Sequence, residues 1–250
     1  MTGASELPWI AGLAGLLVAG FVKGAIGFGF PTVATPLLAL ATDVRTAVVI
    51  LLLPNIVMDG VQIFRRPGVL AAARRHAPLI LAGVVGTVVG TQFLRWMSSR
   101  ALLLALGTLI LVFVTFSLAR PAWRLPPDLE QPLGPVVGLL AGVLGGITNV
   151  FALPLAPYLY ALDLPKAEFV RAISTAFLVF KLTQFGAVWQ VGLMEPGLVG
   201  LSVGAAAVGL LSFRVGLLAQ DRIHPEVFNR AVLGFLGIVS VTMLVRALWR

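Results

Sequence analysis

Gly20-Phe-Val-Lys-Gly24-Ala-Ile-Gly27-Phe-Gly29-Phe-Pro-Thr-Val-Ala-Thr-Pro36 lies in the first apolar run of the chain, which extends from Trp9 to Leu40. As one straight helix that run would be about 48 Å long at 1.5 Å per residue, well beyond a hydrocarbon core of roughly 30 Å. It has to tilt, break or turn back. The glycines and Pro31 supply the break, because Gly accepts backbone angles closed to other residues and Pro removes a donor and clashes with the preceding turn. Leu133 to Leu162 repeats the arrangement, with Gly145, Gly146, Pro154 and Pro157 as the interruptions. Interrupted apolar segments at corresponding places in two halves point to a transporter's binding site, since broken helices present free backbone groups. The same glycines have a second use in close helix packing, as Gly20/Gly24 and Gly138/Gly142/Gly146 have GxxxG spacing. The two uses are compatible.

The rest of the chain is of the same kind. Of its 250 residues 59% are apolar and 11% charged, with mean hydropathy +1.01, whereas a soluble domain carries about a quarter charged residues. An all-α, multi-pass membrane protein is predicted. Eight apolar segments run roughly over 9–40, 44–64, 77–95, 101–119, 133–162, 168–190, 196–219 and 227–248, leaving no room for a soluble domain. Pro121, Pro126, Pro127 and Pro132 with Asp128 and Glu130 make 120–132 a polar linker. The expected organisation is therefore a first transmembrane repeat over 1–119, the linker, and a second repeat over 133–250. An offset of 126 places Arg45 on Arg171, Gly60 on Gly186, Gly83 on Gly209 and Gly90 on Gly216.

The net charge of +8 is carried singly or in pairs between apolar runs, so it reads as a topology signal rather than a nucleic-acid surface. If all eight segments span, the loop arginines divide almost evenly between the two sides. If each opening segment is re-entrant, each repeat crosses three times and the repeats are inverted. Arg65, Arg66, Arg74 and Arg75 then join most of the other basic residues on one side, which the positive-inside rule makes the cytoplasm. The inverted arrangement is the one expected, in a bacterial cytoplasmic membrane.

Several chemistries are excluded. There is no Cys, and the two His cannot alone build a zinc site, so no metal and no cofactor is expected. His76 and His224 read as solvated loop residues. Gly200-Leu-Ser202-Val-Gly204 has the spacing of a nucleophile elbow, but that motif needs a strand-to-helix turn and here lies in an apolar helical run. No enzyme is expected.

Ionisable groups deep in apolar segments are costly and mark candidate sites. Lys23 lies within the first glycine cluster, where snorkelling to the interface is its other use. Asn55, Asp59 and Gln62 share one helix face by their spacing, and Asp59 could instead end its segment in solvent or pair with Arg65 or Arg66. Lys181 has Ser174 and Gln184 on its own face, and the offset of 126 places it on Asn55. Only three of the eighteen basic residues are Lys, and two of them sit inside apolar segments. A compact ammonium suits reversible contact with an anion, while neutralisation by Asp59 purely to hold helices together is the alternative. Arg45 and Arg171 read as interfacial anchors beside Asp43 and Glu168. Thr148 and Asn149 fall in the second break and could donate to a ligand or to the local backbone.

The opening motif quoted above and Gly138-Leu-Leu-Ala-Gly142-Val-Leu-Gly145-Gly146-Ile-Thr-Asn149, with eight apolar segments in two halves, resemble the TauE/SafE sulfite exporter family of anion permeases. The resemblance covers nearly the whole chain and implies a cargo such as sulfite, a sulfonate or another small sulfur-containing or organic acid anion. Together the residues and the resemblance predict an alternating-access permease with a midplane anion site. In it Lys181, helped by Lys23, balances the anion, and Asn55, Thr148, Asn149, Ser174 and Gln184 hydrogen-bond its oxygens. Asp59 is the coupling or gating group, with a proton or sodium ion as coupling partner, and Gly24, Gly27, Gly29, Gly145 and Gly146 form the broken helices. A non-transporting membrane scaffold is the rival expectation.

Overall fold

The computed structural model describes residues 3–65, 68–119, 124–219 and 225–249. Arg66, His224 and the first part of the linker, 120–123, lie outside these residues. All regular structure among the described residues is helical: α1 (Gly3–Ile26), α2 (Phe30–Ala41), α3 (Val44–Phe64), α4 (Val69–Arg75), α5 (Ala77–Trp96), α6 (Ser99–Ala119), α7 (Pro127–Thr148), α8 (Ala152–Ala161), α9 (Lys166–Gln190), α10 (Pro196–Ala219) and α11 (Pro225–Trp249). Seven of these hold stretches long and apolar enough to cross a membrane. The chain is a multi-pass integral membrane protein.

Both long opening segments are broken. α1 gives way to α2 at Gly27 and Gly29, whose φ angles of 100° and 101° lie in the left-handed region, where a Cβ is disfavoured. α7 ends at Asn149 with φ 70°, and Asn is the commonest residue after Gly to take that conformation. The stretch read as a linker becomes helical at Pro127, a residue suited to a first helical turn because its missing N–H needs no partner there. α3 starts with help from Asp43, whose Oδ1 accepts from the amides of Arg45 and Thr46 at 2.9 and 3.1 Å. α4 falls where the sequence showed only a polar interval.

The helices form two compact units, each assembled from separate stretches of the chain. One comprises Met1–Pro54, Met97–Pro121 and Pro196–Arg250, and the other Asn55–Trp96 and Ala122–Glu195. In the first unit α1 and α2 form a hairpin. Gly12 and Gly15 lie beside Leu38 and Leu37, and Gly29 beside Val22, so contacts run in reverse order. α10 packs on α1 in the same direction, with Gly20 against Gly209 and Ser212, and Gly24 against Phe213, Gly216 and Leu217. α11 runs antiparallel to α6, with Gly107 against Met243 and Leu244 and Gly237 against Val114. Ser202, the centre of the elbow-like spacing, is buried within α10 and donates to the Ile50 carbonyl at 2.8 Å.

In the second unit α5 and α7 are parallel: Gly138 meets Leu79, Gly142 meets Gly83 and Thr87, and Gly146 meets Thr87 and Gly90. These contacts match those between α1 and α10, with α5 positions 83, 86 and 90 standing 126 before Gly209, Ser212 and Gly216. α7 and α8 also double back, because the Leu125 amide donates to the Ala161 carbonyl at 2.8 Å and the Tyr158 hydroxyl to the Glu130 carbonyl at 2.8 Å. α9 lies along α5 and α8, where Phe180 fills the space over Gly83 and its ring centroid is 5.5 Å from that of Phe151. Arg75 lies 3.1 Å from Glu130 and 3.7 Å from Glu168. The starting ends of α5, α7 and α9 therefore share one end of this unit.

Candidate functional site

The α7–α8 break forms because α7 has to stop inside the bundle. Thr148 donates to the Leu144 carbonyl at 2.6 Å and accepts from the Val150 amide at 3.2 Å, which turns the chain out of the helix. The Asn149 amide then closes on the Gly145 carbonyl at 2.6 Å. Gly145 has no Cβ because the Phe151 ring occupies that space. The remaining carbonyls at the end of α7 are buried and carry the negative end of the helix dipole.

α9 supplies what that end lacks. Lys181, 1% exposed, donates from Nζ to the Asn149 carbonyl at 3.2 Å, to Asn149 Oδ1 and to Gln184 Oε1 at 3.2 Å. Its ammonium also stands 4.4 Å from the centroid of the Phe151 ring, a cation–π distance. Gln184 Nε2 donates to the Gly145 and Gly146 carbonyls at 3.2 and 3.1 Å. Lys181 and Gln184, one helical turn apart, thus cap the carbonyl end of α7. Asn149, Lys181 and Gln184 meet as one cluster, with Thr148 in the adjoining turn. Ser174, two turns before Lys181, is buried, and its Oγ has no hydrogen-bond partner among the described residues.

Asn55 and Asp59 belong to the same unit and are buried on α3 together with Gln62, the polar face that the spacing predicts. Lys23 belongs to the other unit, where it is fully buried in the last turn of α1 and its carbonyl accepts from the Gly27 amide at 2.8 Å. The glycines divide by role. Gly27 and Gly29 make the first break, and Gly145 makes room for Phe151 in the second. Gly24 and Gly146 are packing residues, because a Cβ on either would overlap backbone of α10 or α5.

Two local readings change. The Arg171 guanidinium lies against Gly68, while Glu168 faces Arg75. His76 is 6% exposed rather than solvated. It sits at the junction of α4 and α5, and α7 and α8 close over it, a long-range packing that the local sequence does not show.

The model of the family described as "Sulfite exporter TauE/SafE" matches residues 12–243 of the chain. No curated protein sequence and no solved structure matches it. The match spans both broken segments, six of the seven stretches able to cross a membrane and most of the seventh, and the chain belongs to the TauE/SafE sulfite exporter family.

Proposed function

We propose that the chain is a secondary permease for a small anion such as sulfite, a sulfonate or another sulfur-containing or organic acid anion, acting in the bacterial cytoplasmic membrane. The observation that carries this reading is the buried Lys181 side chain beside a helix break, with the amide oxygens of Asn149 and Gln184 among its acceptors. An anionic oxygen is a stronger partner for an ammonium than a neutral amide oxygen, so an arriving anion can take over those hydrogen bonds. Asn149 and Gln184 would then turn their amide groups to the anion, and Ser174 and Asn55 would add donors. Thr148 would keep the break in shape.

Asp59 is assigned the coupling role, taking or releasing a proton as the charge on Lys181 is shared, with sodium as the other coupling ion to test. Lys23, buried in the last turn of α1 beside the break of its own unit, is assigned the helping charge. Alternating access is the transport mode. The hairpin form of both opening segments supports three crossings per repeat and the inverted arrangement. On that topology a cysteine replacing Ala72, on α4, is labelled by a membrane-impermeant reagent only from the cytoplasmic side. Labelling from outside would overturn it.

One observation favours a different role. Lys181 and Gln184 satisfy the carbonyl end of α7, which a static scaffold would also require. Exchange of radiolabelled sulfite, thiosulfate, sulfonates and short carboxylates by the purified protein in liposomes decides between the two. Saturable exchange establishes the permease and ranks its cargo. Folded protein that exchanges none of them, with and without an imposed proton or sodium gradient, supports the scaffold.

A further inference from the structure

A cavity of about 390 Å³ opens at the starting ends of α5 and α7, lined by Arg74, Arg75, His76, Gln131 and Tyr158 among others. Its size is that of a small-molecule site. It lies outside the Lys181 cluster, at the end of the unit that the arginines assign to the cytoplasm. Arg74 is exposed and makes no ion pair among the described residues, whereas Arg75 holds Glu130 through two hydrogen bonds of 3.1 and 3.2 Å. The Glu130 carboxylate is thereby paired within the lining, and Arg74 is a cation of the cavity with no ion pair of its own among the described residues. α5 and α7 both begin here with their positive dipole ends, set against the closing end of the short helix α4 at His76 and the acidic first turn of α7. The His76 side chain makes no hydrogen bond to any described residue, and His76 lines the cavity as a potential donor.

We propose that this cavity binds an oxyanion together with a proton, the anion held by Arg74 and Gln131 and the proton taken by His76. The charged and titratable groups around His76 are Arg74 and Arg75 on α4, Glu130 on α7, Tyr158 on α8 and Glu168 on α9. Burial, and then the Arg75 charge, hold the imidazole below its usual pKa, with Glu130 and Glu168 opposing. His76 is therefore neutral at pH 7 while the cavity is empty. An oxyanion beside it supplies the negative charge that makes the imidazolium favourable, so anion and proton bind with positive coupling. The proposal goes beyond the transport reading, because it concerns a different site and a different readout. The oxyanion can be free in water or the phosphate of an anionic lipid headgroup, which basic pockets at the cytoplasmic surface also accept.

Sulfate is the probe, because it stays a dianion throughout the range of interest. Equilibrium binding of labelled sulfate to the purified full-length protein in neutral detergent is expected to weaken from pH 6 to pH 8, by up to about tenfold per pH unit where one proton is taken up. Calorimetry in buffers of different ionisation heat should show proton uptake at pH 7. Arg74→Gln should abolish binding, whereas His76→Gln, which keeps a donor, should bind sulfate with no pH dependence. The calorimetric result on the unmodified protein stands even if a variant fails to fold. Displacement of sulfate by short-chain phosphatidylglycerol, but not phosphatidylcholine, assigns the site to a headgroup, and binding that resists both assigns it to the free anion. Sulfate binding that is independent of pH, or unchanged by Arg74→Gln, overturns the proposal, as does protein that binds neither sulfate nor phosphatidylglycerol. Protein that binds sulfate here yet exchanges no anion keeps this site and removes the transport reading; exchange without binding removes this site alone.

Discussion

Lys181→Met should abolish anion exchange in liposomes while leaving a protein that still folds. The substitution acts on two quantities at once. It leaves the Asn149 carbonyl, Asn149 Oδ1 and Gln184 Oε1 without their shared donor, and a buried acceptor left unsatisfied costs about 1–3 kcal/mol. It also removes a desolvated ammonium, whose burial costs several kcal/mol, and puts in its place a flexible apolar chain of similar length. These terms oppose each other, so a modest fall in Tm is expected rather than loss of the fold. Transport has no such offset. Losing a buried, hydrogen-bonded countercharge costs about 2–5 kcal/mol of binding, which is about thirtyfold or more at 1.4 kcal/mol per tenfold. Lys181→Arg should not restore exchange, because a planar guanidinium cannot occupy the small space between Asn149 and the Phe151 ring as an ammonium does. Exchange rate and melting temperature measured on the same preparations separate the two roles. Unchanged exchange in a folded Lys181→Met protein would leave Lys181 only its role in capping α7.

The sequence carries the segment boundaries well and the three-dimensional neighbours poorly. Apolar runs bounded by Pro, Gly and charge located the eight segments, because the bilayer imposes length and composition on each one locally. The first break was legible for the same reason, since Gly27 and Gly29 act through their own backbone, whereas the second falls at Asn149 and leaves Gly145 and Gly146 inside α7 and Pro154 and Pro157 inside α8. α4 was not, since seven residues between polar punctuation have no periodicity to read. The split of the glycines was equally hidden. Gly24 and Gly27 are three residues apart in one motif, yet Gly24 is needed by α10, almost two hundred residues later, and Gly27 by its own φ angle. Lys181 could be singled out as costly within a membrane. That it would cap the carbonyl end of α7 depends on how α9 packs over the break. His76 is the opposite case, a residue that looks solvated until α7 and α8 fold over it.

That division of the glycines leads to the second large effect. Gly24→Ala and Gly146→Ala should each lose most of the folded protein, although each adds one methyl group. A Cβ at residue 24 would overlap the Phe213 carbonyl and stand 2.7 Å from the Leu217 amide nitrogen; at residue 146 it would stand 2.7 Å from the Thr87 carbonyl and 2.9 Å from the Gly90 Cα. Real Cβ atoms do not approach so closely, and the obstructing atoms are helix backbone that cannot rotate away as a side-chain tip can. The two helices must separate along their whole seam. In a bilayer no hydrophobic force drives them back together, since lipid tails are as apolar as the helix faces, and close packing is itself the source of affinity. Overpacking costs about 1–3 kcal/mol in ordinary cores. Here it falls on the α1–α10 or α5–α7 contact, with Gly20 and Gly216, or Gly142 and Gly90, disturbed as well. Gly200→Ala and Gly204→Ala supply the control, because nothing lies within 4 Å of a Cβ at either position. In mid-helix they should be neutral or slightly stabilising, as Ala costs less conformational entropy than Gly. Yield of monodisperse protein in mild detergent and its melting temperature give the comparison. Equal behaviour of all four variants would mean that these seams do not hold the units together, and that the glycines of the opening motifs act at the breaks alone.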